Sequence, residues 1–224
     1  EADYAVLPVE NSSTGSIRQV YDLLAQYNYY VVGECQVKVE HCLAAGKATG
    51  APTAAVSHPQ ALSQCSEYLE AHGLRPIQWS NTAAAARYVA QEAPAGVAAI
   101  CSQEAARAYG LTILEEGIQN EAENTTRFIL ISREAILPQD AGKISLCFAL
   151  PHVTGSLSGV LQRFAMAGLN LTKIESRPLP GRNFEYDFYL DFTGNLHQPT
   201  TLELICALQE ELPRFSFLGN YSER

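Results

Sequence analysis

Asn124-Thr125-Thr126-Arg127-Phe128 opens onto the apolar run Ile129-Leu130-Ile131, and the pattern of the chain differs on its two sides. Period-2 geometry along a strand sends Thr126 and Phe128 to one side and Arg127 to the other. Near a strand end the backbone twists, so that a hydroxyl and a guanidinium can still line one cleft. A surface arginine at a strand edge is the competing account of the same five residues.

Upstream, strand and helix patterns alternate. Tyr4 to Pro8 is strand-like, and Ile17, Val20, Tyr21 and Leu24 then recur at i, i+3, i+4 and i+7, which is one apolar face of a helix. The intervening Glu10-Asn11-Ser12-Ser13-Thr14-Gly15 is turn and capping chemistry, and a helix N-terminus there would favour a carboxylate or phosphate. An ordinary helix cap has the same composition. Tyr29 to Ala45 is expected as one long strand passing from one lobe into another, with His41 a half-buried strand residue. Ala54-Ala55-Val56 leads through Ser57-His58 to Pro59, a residue suited to the first helical position. Leu62, Cys65 and Leu69 mark that helix's buried face. Further strands are expected at Pro76–Trp79, Val97–Ile100 and Leu111–Leu114, with helices after Asn81 or Ser80 and after Ser102. Ser57, Thr82 and Ser102 thus stand at strand-to-helix turns, where ligands of open α/β sheets collect. His58 is open to two roles, general acid–base or helix cap.

Downstream, a Pro- and Gly-marked linker (137–142) precedes a strand, a helix carrying Leu157, Val160, Leu161 and Phe164, two strands, a helix and a last strand. That β-α-β-β-α-β order is the split, ferredoxin-like arrangement. The expected division is therefore residues 1–137 and 143–224, an α/β domain followed by a second, smaller one.

Composition sets the outer limits. The 224 residues are 47% hydrophobic and 17% charged, with a formal charge of −9. That balance, without a Lys/Arg cluster, argues against nucleic acid and anionic membrane as partners. No apolar run approaches the ~20 residues that span a bilayer. The six cysteines (Cys35, Cys42, Cys65, Cys101, Cys147, Cys206) form no Cys-x-x-Cys pair, so no metal is expected and a reducing cytoplasm is. The opening on Glu1 rather than Met, running straight into a strand, suggests a fragment of a longer protein.

Several motifs carry a family resemblance. Pro8-Val9-Glu10-Asn11-Ser12 with Gly15-Ser16-Ile17, then Ser57-His58-Pro59-Gln60-Ala61, Thr82-Ala83-Ala84 and Thr126-Arg127-Phe128 resemble, in order, the motifs of prephenate dehydratases. Gly155-Ser156-Leu157 resembles the GAL motif, and Glu175-Ser176-Arg177-Pro178 the ESRP motif, of the phenylalanine-binding ACT domain. Ser156 replaces the alanine of GAL, a small-for-small exchange. The glycine-rich turn with which the family begins is missing here, so the first lobe is expected to be incomplete, and a chorismate mutase domain upstream is left open. The resemblance implies a two-lobed, periplasmic-binding-protein-like dehydratase domain with the substrate between its lobes, followed by a ferredoxin-like ACT domain.

It also implies conversion of prephenate to phenylpyruvate with loss of water and carbon dioxide, without cofactor or metal. Thr126, Arg127 and Phe128 are the expected catalytic residues, with Thr126 the donor to the departing hydroxyl and Arg127 the carboxylate clamp. Glu10, Asn11, Ser12, Ser57, His58, Thr82 and Asn124 are expected substrate contacts, and Glu10 must there be protonated or paired, with Arg127 a candidate partner. Phenylalanine is the expected effector, held by Gly155, Ser156, Leu157, Asn170, Leu171, Thr172, Glu175, Ser176, Arg177 and Pro178, in a homodimer or homotetramer. Arogenate dehydratase and a catalytically inactive small-anion or amino-acid-binding module are the alternative functions.

Overall fold

The computed structural model describes residues 2–47, 50–92, 94–179 and 185–223. Strand β1 (Tyr4–Asn11) turns tightly into the two-residue β2 (Gly15–Ser16), and α1 (Arg18–Tyr27) follows. Val20, Tyr21 and Leu24 are buried along α1, with Ile17 packed beside them, as their spacing requires. The polar run before α1 is a hairpin and not its cap: the residue preceding the helix is Ile17, with no side-chain capping bond. The positive helix end expected there for an anion is therefore displaced past the hairpin.

The long strand expected over residues 29–45 is two strands, β3 (Tyr30–Lys38) and β4 (Cys42–Ala45). Between them Val39 donates its N–H to the Asn124 carbonyl at 2.7 Å, outside any ladder. Next come β5 (Ala54–Ser57), α2 (Pro59–Gln64), α3 (Ser66–Ala71), β6 (Arg75–Gln78), α4 (Thr82–Glu92), β7 (Val97–Cys101), α5 (Gln103–Ala108) and β8 (Thr112–Glu116). Strands β4 to β8 form one sheet in the order β6-β5-β7-β4-β8, parallel from β6 to β7 and antiparallel at β4. Its central strands β5, β7 and β4 are largely alanine, valine and cysteine, small enough for helices to lie close on both faces. Leu62, Cys65 and Leu69 fill one side and Ala85, Ala86 and Val89 the other.

Strand β9 (Thr125–Ser132) returns to pair with β1, in a sheet ordered β2-β1-β9-β3. The remaining elements are β10 (Lys143–Ala149), α6 (Ser156–Met166), β11 (Leu171–Pro178), β12 (Tyr186–Thr193), α7 (Pro199–Glu211) and β13 (Arg214–Tyr221). Their sheet has the order β11-β12-β10-β13, the ferredoxin-like arrangement anticipated from the element order. Every residue of β10 is buried, because both faces of this sheet are covered. Ile144, Leu146 and Phe148 pack beneath α6 and α7, whereas Cys147, with Tyr189, Leu218 and Tyr221, packs against Val20, Tyr21, Leu24 and Ile131.

That second face explains how the chain divides. One compact unit comprises Glu1–Val37 with Thr126–Arg224, the other Lys38–Thr125. The ferredoxin-like sheet shares a core with α1, β3 and β9, so the compact division does not follow the 137–142 linker. Among the described residues, no helix is long and apolar enough to cross a membrane.

Candidate active site

Strands β1 and β9 run antiparallel, with Asn11 opposite Thr126 and Glu10 opposite Arg127. A bulge between Pro8 and Glu10 resets this register, the kind of local device that re-aims side chains at functional sites. Two motifs 115 residues apart in sequence thereby meet side chain to side chain, as Asn11 Nδ2 donates to Thr126 Oγ1 at 2.9 Å.

The direction of that bond follows from the other end of the amide. Asn11 Oδ1 accepts from the backbone N–H groups of Ser13 and Thr14, each at 3.1 Å, and from Thr14 Oγ1 at 3.2 Å. Three donors on one atom identify it as the oxygen, so nitrogen faces Thr126. The Thr126 oxygen is then an acceptor toward Asn11, and its own proton is left to donate. Asn11 is itself buried, which fixes the pair against the hairpin.

Arg127 departs from the expectation of a fork open to a substrate carboxylate. Its Nη2 lies 2.5 Å from Glu34 Oε2 and 2.7 Å from Asp191 Oδ2, while Nη1 is 3.8 Å from Glu10. Nη2 also donates to the Tyr221 hydroxyl at 3.3 Å. Burial alone would lower the guanidinium's pKa, but Asp191, Glu34 and Tyr221 together raise it above its usual value, so it stays charged. A closed polar circuit results. Ser145 Oγ donates to Asp191 Oδ1 at 2.6 Å, which leaves its oxygen to accept from the Tyr221 hydroxyl at 2.7 Å. Burial, and next Asp191, push the Tyr221 phenol well above its ordinary pKa, so it remains a donor. Lys143 completes the cluster at 2.7 Å from the other oxygen of Glu34.

Glu10 is paired, though chiefly not with Arg127. Its nearest cation is Lys173 on β11, at 2.8 Å. Lys173 Nζ also donates to Ser16 Oγ at 2.9 Å, and Ser16 donates in turn to Glu175 at 2.8 Å. Arg177 forks onto Asp22 of α1 at 2.8 and 3.0 Å. Glu175 and Arg177, expected as walls of an effector site, thus reach toward the hairpin and α1. Thr172, Ser176 and Pro178 alternate with them and are exposed.

A separate cavity of about 330 Å³ opens where β10 meets α6, lined by residues that include His152, Thr154, Ser156, Tyr186 and Phe188. Gly155, at φ +85°, makes the turn into the helix that Leu157 continues, a conformation that favours glycine. Asn170 and Leu171 stand at the start of β11, and the Asn170 carbonyl accepts from Thr193 N–H at 2.9 Å.

In the other unit the polar residues are largely occupied. Ser57 is fully buried and donates to the Ile100 carbonyl of the neighbouring strand at 2.7 Å. His58 caps α2, its Nδ1 accepting from Gln60 N–H at 3.2 Å, which selects the capping role over acid–base work for that atom. Asn81 caps α4 through a 2.7 Å bond from Ala84, and Thr82 is the first helical residue. Asn124 is buried and Ser12 exposed. Phe128 lies half-buried in β9 opposite Pro8.

Glu34, Asp191, Lys143, Lys173 and Tyr221 escape the motif-based reading. For Lys143 and Asp191 the signal was in plain view as alternation: Lys143-Ile144-Ser145-Leu146-Cys147 and Asp187-Phe188-Tyr189-Leu190-Asp191 each carry polar residues on one face. An alternating strand is ordinarily solvated on that face.

Comparison with known proteins bears on these motifs. The family model for prephenate dehydratase matches residues 1–136. A chloroplastic Arabidopsis thaliana protein named arogenate dehydratase/prephenate dehydratase 6 is 40% identical over 240 residues, covering 98% of this chain and 58% of its own length. The prephenate dehydratase of Arthrobacter aurescens, solved in complex with L-Phe, superposes with a TM-score of 0.86 at 32% identity, over 99% of this chain and 75% of that one. GqqA, described as a novel type of quorum quenching acylase, gives a TM-score of 0.87 at 31% identity, over 100% of this chain and 83% of that one. The chain spans less than two thirds of the length of the curated relatives it matches.

Proposed function

The chain belongs to the prephenate dehydratase family, and from that premise we propose that it converts prephenate to phenylpyruvate, with Thr126 as donor to the departing hydroxyl. The family's fold, a two-lobed α/β dehydratase domain followed by a ferredoxin-like ACT domain, is the fold of this chain. The observation that carries the chemistry is the Asn11–Thr126 bond, with its direction settled by the three donors on Asn11 Oδ1.

In this reaction the ring C–O bond breaks with its electron pair leaving on oxygen. The bond to the ring carboxylate breaks as well, releasing carbon dioxide, and its electrons complete the aromatic ring. One proton is needed on the departing oxygen. An ordinary alcohol is a weak acid, so the contribution of Thr126 is a positioned hydrogen bond that strengthens as negative charge builds on that oxygen. With Asn11 donating to its oxygen, the Thr126 hydroxyl keeps its proton for a partner other than Asn11. Aromatisation supplies the driving force.

For Arg127 the geometry favours a structural role, holding β9 against the ferredoxin-like sheet. Glu10, neutralised by Lys173, is not needed as a base. The division into a dehydratase part, residues 1–137, and a regulatory part, residues 143–224, is supported by the extent of the family match. Phenylalanine as effector is supported by the cavity at the β10–α6 turn and by the L-Phe complex of the Arthrobacter relative. The exposed edge strand β11 offers a surface for a homodimer or homotetramer. Six free cysteines suit a reducing cytoplasm.

Arogenate is the second substrate to weigh, because relatives carry that name. Incubation with prephenate should yield phenylpyruvate, and with arogenate phenylalanine, and the ratio of kcat/KM values ranks them. Turnover of neither would leave the chain as a binding module and overturn the proposal. Calorimetry with phenylalanine at millimolar concentration should show binding, and absence of heat would remove the effector.

A further inference from the structure

We propose that Lys173, on strand β11 of the ferredoxin-like domain, is a positioning residue for the dehydration, acting through Glu10 and Ser16 on the hairpin that holds Asn11 and Thr126. The inference rests on the dehydratase reading and adds a residue outside the matched dehydratase segment, 1–136.

Lys173 is almost fully enclosed, its side chain 9% exposed. It touches Glu10 Oε1 at 2.8 Å and Ser16 Oγ at 2.9 Å, with the Tyr21 ring centred 5.7 Å away. Glu10 and Ser16 are register partners across the β1–β2 hairpin, and Asn11 and Gly15 are the next pair toward its tip. One ammonium group therefore grips both legs of the hairpin immediately below the asparagine. Ser16 is held a second time by Glu175, two residues further along the same strand.

Two consequences follow from one cation. Mechanically, the hairpin cannot shift relative to β11 without breaking the Lys173 bonds, and Asn11 moves with the hairpin. Electrostatically, Glu10 precedes Asn11 in sequence and faces Arg127 only at 3.8 Å, while that guanidinium is closer to Glu34 and Asp191. Without Lys173 the Glu10 carboxylate would stand uncompensated beside a site for a doubly negative substrate. The first effect should appear in kcat and the second in KM.

Lys173→Met keeps the length and apolar stem of the side chain while removing charge and donors. Turnover of prephenate by the full chain should fall in kcat/KM by about 10²-fold, the cost typical of a misplaced catalytic group. The KM increase should shrink in Lys173→Met/Glu10→Gln, which removes the stranded carboxylate, and kcat should remain low. A readout independent of turnover is the ¹H–¹⁵N signal of the Asn11 side-chain amide, assigned with Asn11→Asp. That signal should shift or broaden in Lys173→Met. Wild-type kinetics in Lys173→Met, or an unmoved Asn11 signal, would overturn the proposal. Absence of turnover in the wild type with the Asn11 signal moved by Lys173→Met would instead fault the dehydratase reading and leave the mechanical link standing.

Discussion

The Asn11–Thr126 contact unites two residues whose motifs are both legible in sequence but whose pairing is not, because register depends on a bulge that no local pattern announces. Arg127 illustrates the opposite case. Its residue type suggests a ligand fork, yet the chain's own carboxylates occupy it, and those come from strands β3 and β12, far away in sequence. Arg127→Met should accordingly act on stability. Leaving Glu34 and Asp191 buried without their common cation should cost about 3–5 kcal/mol, measured by urea unfolding with phenylpyruvate formation assayed in parallel. A stable Arg127→Met protein with a raised KM would restore the substrate-clamp role. Lys143, bonded to the second oxygen of Glu34, should limit the damage rather than prevent it.

At the level of elements, the apolar face of α1 and the ferredoxin-like strand order were legible because 3.6-residue periodicity and turn residues are local signals, while the face expected for one helix, Leu62, Cys65 and Leu69, is shared between α2 and α3 with Cys65 at their junction. The break between β3 and β4 was not legible, since Tyr30 to Ala45 lacks a Pro or Gly at the point where the ladder ends. Nor was the burial of the polar face of β10 and β12, which depends on the first unit's own α1 and β3 arriving to cover it. Gly219 on β13 records how close that approach is. A Cβ built there would lie 2.0 Å from the Val31 carbonyl oxygen of β3. Backbone cannot yield as a side-chain tip can, so Gly219→Ala should cost about 3 kcal/mol or more or abolish soluble expression. Gly159, inside α6 with nothing within 4 Å of a Cβ, is the internal control. Gly159→Ala should gain about 0.5–1 kcal/mol through helix propensity. Equal thermal shifts for the two variants would contradict this picture of the β3–β13 contact.

Taken whole, the first unit joins the β2-β1-β9-β3 sheet and the ferredoxin-like sheet through a shared core and a polar seam, and its stability should respond to pH through that seam. Burial raises the Asp187 carboxyl above its usual range, with Arg214 at 3.3 Å only partly opposing it. A carboxyl raised in the folded state binds its proton more tightly folded than unfolded, so ionised Asp187 costs stability at neutral pH. That cost should vanish as pH falls through the raised value toward the ordinary value of about 3.9. Asp187→Asn should therefore have the higher Tm near neutrality, the gap closing on acidification, and a gap that widens in acid would reverse the assignment. The proposed chemistry depends on the Thr126 hydroxyl as hydrogen-bond donor, its oxygen held by the Asn11 amide, and the measurement that addresses it directly is the phenylpyruvate formation rate of Thr126→Ala beside Thr126→Ser. The alanine variant should fold normally and lose roughly 10²–10⁴ in kcat, the range of a lost proton or hydrogen-bond donor, while serine, keeping the hydroxyl that Asn11 orients, should retain most of it. Near-normal turnover by the alanine variant would contradict the account.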